Sequence, residues 1–314
     1  MGAGDRIEME YGQEYHSLEQ ALKEVFGQDT KIRDRKRMSG GDINDAYRLI
    51  LTDGTNVFLK MNTKARKEFF RAEVCGLEAL RSLHAVSVPE ILALGTDENR
   101  NQAFLMMEYI ESQRPQKAYW EAFGHQLAKL HRSQCGEYVL DAEKTGVYGF
   151  IEDNFIGAAP QKNHPYQSWI DFYRNCRLAP QLDRARHYLS MEIQRKADWL
   201  LEHLDRFLRE PDFPSLLHGD LWSGNIICGT GNRPWIIDPA VYVGDYETDL
   251  AMTQLFGSLP RIFYDAYRET NPVTWNEYEE RRDLYHLYHL LNHLNLFGRV
   301  YLGSVEQIIL GYAG

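Results

Sequence analysis

The stretch 216–238, LLHGDLWSGNIICGTGNRPWIID, most limits how this chain can fold. It is β-prone and rich in turn residues. Yet the sequence on both sides has helical periodicity: WEAFGHQLAKLHR (120–132), SWIDFYRNCRL (168–178) and about 184–209 before it, then 246–257, 260–270 and 275–297 after it. One irregular hairpin must therefore be carried inside a helical body. The last of these helices is expected to open with a capping box of Thr274 and Glu277.

The first 110 residues have a different pattern. Ser17 and Gln20 form a capping-box pair, Leu18, Ala21, Leu22, Val25 and Phe26 make an apolar stripe, and Gly27 ends the helix. AYRLIL (46–51) and NVFLKM (56–61) flank Asp53-Gly54, a hairpin signal whose four-residue link leaves the turn type open. A helix over about 64–83 and a strand pair ending in QAFLMMEYI (102–110) follow. The expected architecture is α+β, with a β-rich N-lobe over 1–108, a connector near 108–112 and a mainly helical C-lobe over 109–314. At 314 residues, each part is long enough to bury its own core.

Within 216–238 the spacing His218-Gly219-Asp220, then Asn225, then an apolar IID strand ending at Asp238 matches what phosphoryl transfer asks of a protein. That reaction needs a carboxylate to orient the attacking hydroxyl and oxygen ligands to hold Mg²⁺ on the nucleotide phosphates. Asp220 would be the catalytic base, and Asn225 and Asp238 the metal ligands, the hairpin returning 238 beside 220. His-Gly-Asp alone would be compatible with an ordinary turn.

Lys60 supports the reading independently. On its strand Val57, Leu59 and Met61 share one face, so Lys60 points from the other. In the next helix Glu73 sits in the inward stripe with Phe69, Phe70, Leu77 and Leu80, where a carboxylate is costly unless a cation meets it. A Lys60–Glu73 pair would position nucleotide phosphates. Gly40 and Gly41 in SGGDIN (39–44) would let the backbone approach phosphates, and the backbone of Glu108 and Ile110 at the lobe boundary would meet adenine. Neither GxxxxGK[ST] nor GxGxxG is present, which disfavours a P-loop or dinucleotide fold.

A formal net charge of −10 makes nucleic acid and anionic membrane poor partners. No run nears the roughly 18 apolar residues of a membrane span, and MGAGDRIEME lacks a signal-peptide core, so a cytoplasmic location is expected. Cys75, Cys135, Cys176 and Cys228 are too scattered for a disulfide frame or zinc site.

The strings LLHGDLWSGN, IIDPAVYVGDYETDLAMTQLFG, FIEDNFIGAAPQKN, FYRNCRLAPQL and LYHLYHLLNHLNLFG, spread from about residue 15 to the C-terminus, resemble the fructosamine (ketosamine) kinase family, a branch of the aminoglycoside phosphotransferase group. The resemblance implies a protein-kinase-like bilobal fold and use of ATP and Mg²⁺. It also implies phosphorylation of the third-carbon hydroxyl of ketoamines, small molecules or glycated amines, as a step in deglycation. Carried across, it gives Asp220, Asn225, Asp238, Lys60 and Glu73 the roles just argued. Asp42 departs from the family pattern, which often has cysteine in the glycine-rich loop, and its side chain is expected to face away from phosphate.

For the acceptor, the expected residues are Asp153 and Asn154, in an amide-rich loop with Gln161 and Asn163, together with Trp222 and Glu247. Tyr242 would stack on the ligand or pack between loops. Of Asp245, Glu247 and Asp249, at least one would brace the loop or face a cationic substrate. His286, His289 and His293 lie on one arc of the last helix and are expected to be packed or hydrogen-bonded rather than metal-bound. Competing readings are a kinase for choline or an aminoglycoside and a nucleotide-binding scaffold without turnover.

Overall fold

The computed structural model describes residues 15–38, 44–140 and 146–314. In chain order the elements are α1 (Leu18–Phe26), β1 (Ile32–Arg37), β2 (Asp45–Leu51), β3 (Asn56–Thr63), α2 (Lys67–Ser82), β4 (Ile91–Asp97), β5 (Gln102–Glu108) and α3 (Lys117–His131). They continue with β6 (Asn154–Ile156), β7 (Ala159–Gln161), α4 (Trp169–Phe172), α5 (Ala179–Ala185), α6 (Met191–Glu202), β8 (Ser215–Leu217), β9 (Ile226–Gly229), β10 (Arg233–Ile236) and β11 (Tyr242–Gly244). The chain ends with α7 (Glu247–Leu255), α8 (Arg261–Thr270), α9 (Trp275–Phe297) and α10 (Leu302–Ala313). It divides into two compact units, Met1–Tyr119 with Ile226–Asp238, and Trp120–Asn225 with Pro239–Gly314. Residues 109–119 and 226–238, assigned to the C-lobe from sequence, thus group with the N-terminal sheet.

The first unit is built on an antiparallel sheet in the order β1-β2-β3-β5-β4. Strand alternation puts Val57, Leu59 and Met61 into one core with Leu18, Ala21 and Leu22 of α1. Ser17 caps α1 by accepting from the Gln20 amide (3.1 Å), while the Gln20 side chain reaches back to the His16 amide (3.2 Å). The β2–β3 link closes on Asp53, whose carboxylate accepts from the Thr55 amide (2.8 Å), and Gly54 takes φ 93°, open to glycine without strain. β1, IRDRKR, was not expected: it is exposed along its whole length, and its charges guard a sheet edge against pairing with another chain. The β9–β10 hairpin docks through Ser87, which bridges Trp235 and accepts from the Ile236 amide (3.0 Å).

The second unit is mainly helical, with short ladders β6–β7 and β8–β11. α4 runs into a π-helical segment, Tyr173–Leu178, and then α5. Trp169, Tyr173 and Tyr285 pack there in mutual ring contact within a fully buried aromatic core. The capping box expected at α9 does not form, because the Thr274 side chain makes no cap bond; the helix starts on a main-chain bond from Tyr278 to the Thr274 carbonyl (3.0 Å). α10 is an addition to the helices read from sequence. Among the described residues no helix is long and apolar enough to cross a membrane.

Candidate active site

In the first unit the alternation of β3 sends Lys60 away from the α1 core and toward α2. Its ammonium lies 2.6 Å from Glu73 Oε1 and 2.6 Å from Asp238 Oδ1. Burial acts to lower the Lys60 pKa, but the charges of Asp238 and Glu73 outweigh it and hold the ammonium above the usual lysine range. The Glu73 carboxyl is raised, since burial exceeds what Lys60 returns to it. The expected Lys60–Glu73 pair is therefore present, extended by Asp238 into a triad. Asp238 takes φ 55°, a left-handed conformation uncommon outside glycine and asparagine. Phe69 is only half-buried, beneath the guanidinium of Arg66, so it belongs less to the inward stripe than its spacing suggested.

The Glu108 amide donates to the Glu90 carbonyl (2.8 Å), so this N–H is committed within the sheet rather than offered to adenine. Ile110 follows β5 and packs close to Gly229 of the β9–β10 hairpin. Gly40, Gly41 and Asp42 lie outside the described residues.

In the second unit the loop after β8 is held by its main chain. Asp249 accepts from the His218 amide (2.7 Å) and the Gly219 amide (2.9 Å), and its Oδ2 lies 3.2 Å from His131 Nε2. His131 Nδ1 in turn pairs with Tyr267 (2.8 Å), whose hydroxyl accepts from Asn271 (2.9 Å). Burial would raise the Asp249 carboxyl, but the His131 bond, the charges of His131 and His218, and the Gly219 amide bring it below the usual carboxylate range. Gly219 has φ 81°, and a Cβ there would meet the Ala240 carbonyl oxygen at 2.0 Å, so only glycine fits. Asp220, half-buried at the head of this loop, receives the Asn225 side-chain amide at its carbonyl (2.8 Å) and at Oδ2 (3.2 Å). Asn225 Nδ2 is thereby spent on Asp220, while its Oδ1 has no hydrogen-bond partner among the described residues.

Three acceptor-site expectations are corrected by their surroundings. Asn154 is buried, donating to the Val241 carbonyl (2.7 Å) and accepting from Gln161 (2.8 Å) and Asn163 (3.0 Å). Gln161 donates to the Ala240 carbonyl (3.1 Å) and accepts from Tyr288 (2.6 Å). The amide cluster is thus satisfied internally and clasps the 240–241 backbone instead of presenting itself to a sugar. Asp153 pairs with Lys162 (2.7 Å) and the Asn163 amide (2.8 Å); these bonds outweigh its partial burial and lower its pKa. Glu247 is buried against Arg281 (2.7 and 2.8 Å), with Arg209 at 3.4 Å, so its charge is neutralised inside the protein rather than turned to a cationic ligand.

Trp222 remains accessible at 38%, its ring over Gly224, where a Cβ would collide with it at 2.2 Å. Tyr242 is buried, with its hydroxyl on Thr248 (3.3 Å). His286 pairs with the Ala251 carbonyl (2.8 Å) and His293 with the His289 carbonyl (2.8 Å). Sequence reasoning missed Arg177, fully buried over the Tyr242 ring (3.8 Å) and bonded to Asn163 (2.8 Å). A lone arginine in a helical segment gives no signal of such a role.

Residues 14–312 match the family model described as fructosamine kinase. A probable ketoamine kinase of Synechocystis sp. is 37% identical over 94% of this chain and 95% of its own. A chloroplastic protein-ribulosamine 3-kinase of Oryza sativa subsp. japonica is 36% identical over 91% of this chain and 80% of its own. The crystal structure of a candidate fructosamine-3-kinase from Thermobifida fusca is 30% identical, covers 95% of this chain and 99% of its own, and superposes with a TM-score of 0.78. More distant phosphotransferases of known structure, at 16% identity, share the kinase-like α+β fold alone.

Proposed function

Because the chain belongs to the fructosamine kinase family, we propose that it uses ATP to phosphorylate the third-carbon hydroxyl of ketoamines, fructose- or ribulose-derived adducts of lysine and related amines. Phosphorylation there makes the adduct prone to fall apart and return the free amine, so the proposed role is deglycation in the cytoplasm. The observation that carries the reading is the Lys60 ammonium held between Glu73 and Asp238, an arrangement that leaves a fixed cation for nucleotide phosphate.

In this reading Asp220 orients the acceptor hydroxyl and takes its proton. Asn225, donating twice to Asp220, keeps that carboxylate in place while its own carbonyl oxygen has no hydrogen-bond partner among the described residues. That oxygen and the Asp238 carboxylate are each a hard donor of the kind Mg²⁺ takes, so the chemistry of each residue fits the role. When bound, the metal would neutralise charge on the phosphates. Lys60 would hold the phosphates, and Glu73 would keep Lys60 aimed. Asp249 acts through the loop backbone and is a positioning residue.

Coupled ADP release measured with Nε-fructosyl-lysine, Nε-ribulosyl-lysine, choline and an aminoglycoside tests the substrate class. Turnover is expected with the ketoamines. ADP release with choline or the aminoglycoside and with neither ketoamine would overturn the assignment.

A further inference from the structure

Arg177 and Arg281 are both buried in the second unit, and the fold treats their charges differently. Arg281 is met by the Glu247 carboxylate at 2.7 and 2.8 Å. Arg177 instead donates to uncharged oxygens: the carbonyls of Lys162 (2.6 Å) and Cys176 (3.0 Å) and Oδ1 of Asn163 (2.8 Å). Its Nε has no hydrogen-bond partner among the described residues. Around it stand ring faces, with Tyr242 at 3.8 Å, Phe172 at 4.7 Å and Tyr288 at 5.8 Å from the guanidinium carbon. Carbonyls and rings make a buried cation tolerable without neutralising it. In a low-dielectric interior such a charge acts further than one at the surface. Arg177 also sits in the π-helical segment Tyr173–Leu178, a geometry found frequently at functional sites.

The catalytic loop lies within that range. The Tyr242 ring that Arg177 covers also borders Gly219, where a Cβ would lie 3.3 Å from Tyr242 Cε1. One ring therefore separates the guanidinium from the residue before Asp220. Burial raises the Tyr288 hydroxyl, and the charges of Arg177 and Asp220 act on it in opposite senses, so this one group feels both. The other charged or titratable groups nearby are offset locally. Asp249 is bonded to the 218 and 219 amides and to His131. Asp153 is paired with Lys162 (2.7 Å), and His218 Nδ1 accepts from the Asp220 amide (3.2 Å). Arg184 is exposed, on the Pro160 carbonyl (3.3 Å). The field of Arg177 thus reaches Asp220 largely uncancelled.

We propose that Arg177 is a positioning residue whose charge keeps the Asp220 carboxylate ionised, and so able to take a proton, when the acceptor covers it. An acceptor seated on Asp220 strips water from the carboxylate, which favours the protonated form; a fixed cation behind the loop opposes this. The role rests on the assignment of Asp220 as the base.

The test is the acid limb of kcat/KM for Nε-ribulosyl-lysine at saturating Mg-ATP, in the wild type, Arg177→Met, Arg177→Lys, Asn163→Asp and Asp220→Asn. At an effective dielectric constant of about 20, a unit charge roughly 10 Å away shifts a carboxyl by about one pH unit. Arg177→Met removes the charge and is expected to raise the midpoint of the limb by about that amount, because Asp220 then takes up its proton at higher pH. Arg177→Lys keeps the charge and is expected to keep the wild-type midpoint. Asn163→Asp sets a carboxylate against the guanidinium, cancelling the charge with Arg177 still in place, and is expected to raise the midpoint as Arg177→Met does. It carries the test if Arg177→Met does not fold. An unmoved midpoint in either charge-cancelling variant, with the rate lowered by the same factor at every pH, would make Arg177 a packing residue and overturn the proposal. A limb that persists unchanged in Asp220→Asn would remove the base assignment and the proposal with it, while ketoamine turnover still upheld the substrate reading. Absence of ketoamine turnover in the wild type would remove that reading and the role built on it.

Discussion

Lys60 in the first unit is fixed by charge, one ammonium between two carboxylates at 2.6 Å each. Asp220 in the second is fixed by its surroundings: Asp249 grips the amides of residues 218 and 219, and Asn225 grips Asp220 itself. The first arrangement makes the functional group its own structural support, so any change there alters stability and chemistry together. The second separates the two, with bracing residues buried behind a base that remains accessible. Function and stability are therefore expected to be inseparable at Lys60 and separable at Asp220.

The largest expected effect tests the bracing. Asp249→Ala would leave two buried main-chain N–H groups and His131 without their acceptor, at a cost of about 3–5 kcal/mol by comparison with other broken buried ion pairs. Urea unfolding measures it; a loss below about 1 kcal/mol would mean that the loop is held elsewhere. A smaller effect probes the triad. Lys60→Met and Glu73→Gln are expected to be non-additive by about 0.5–3 kcal/mol in a double-mutant cycle, because the second change relieves a carboxylate stranded by the first. Strict additivity would break the contrast between the units.

The smallest is a pH effect at the buried Asp245. Burial first, and then the charge of Glu247, push the Asp245 carboxyl from 3.8 up to about 7. The folded protein then keeps a proton that the unfolded chain releases over this range, so the Asp245 contribution to stability is present below about pH 4 and lost as pH rises toward 7. Asp245→Asn, whose amide can keep the contacts with the Glu247 amide and Tyr285, is expected to gain on the wild type as pH rises from 4 to 8. Parallel stability curves for the two proteins would contradict this.

What was legible in the sequence follows the same division. Lys60 and Glu73 could be paired because strand alternation and helix phase each fix a side-chain direction locally. The link from Lys60 to Asp238 could not be read, since it depends on docking the 226–238 hairpin through Ser87, far away in sequence. The strand at 32–37 was hidden by its charge, because periodicity finds strands through their buried residues. Asn154, Gln161 and Glu247 were visible as polar residues, but the partners that satisfy them, the 240–241 carbonyls, Tyr288 and Arg281, come from distant segments. Composition shows that a polar group is present, while only the tertiary structure shows whether it is already spoken for.

The division of labour between the units is tested most directly by measuring Mg-ATP affinity and ketoamine turnover side by side in Asp220→Asn and Lys60→Met. Asp220→Asn is expected to bind Mg-ATP as the wild type does and to lose about 10²- to 10³-fold in kcat, the lower half of the usual general-base contribution, because a loose transition state asks little of the base. Lys60→Met is expected to weaken nucleotide binding and turnover together. Near-wild-type turnover in Asp220→Asn, or a loss of Mg-ATP affinity there as large as in Lys60→Met, would contradict the account.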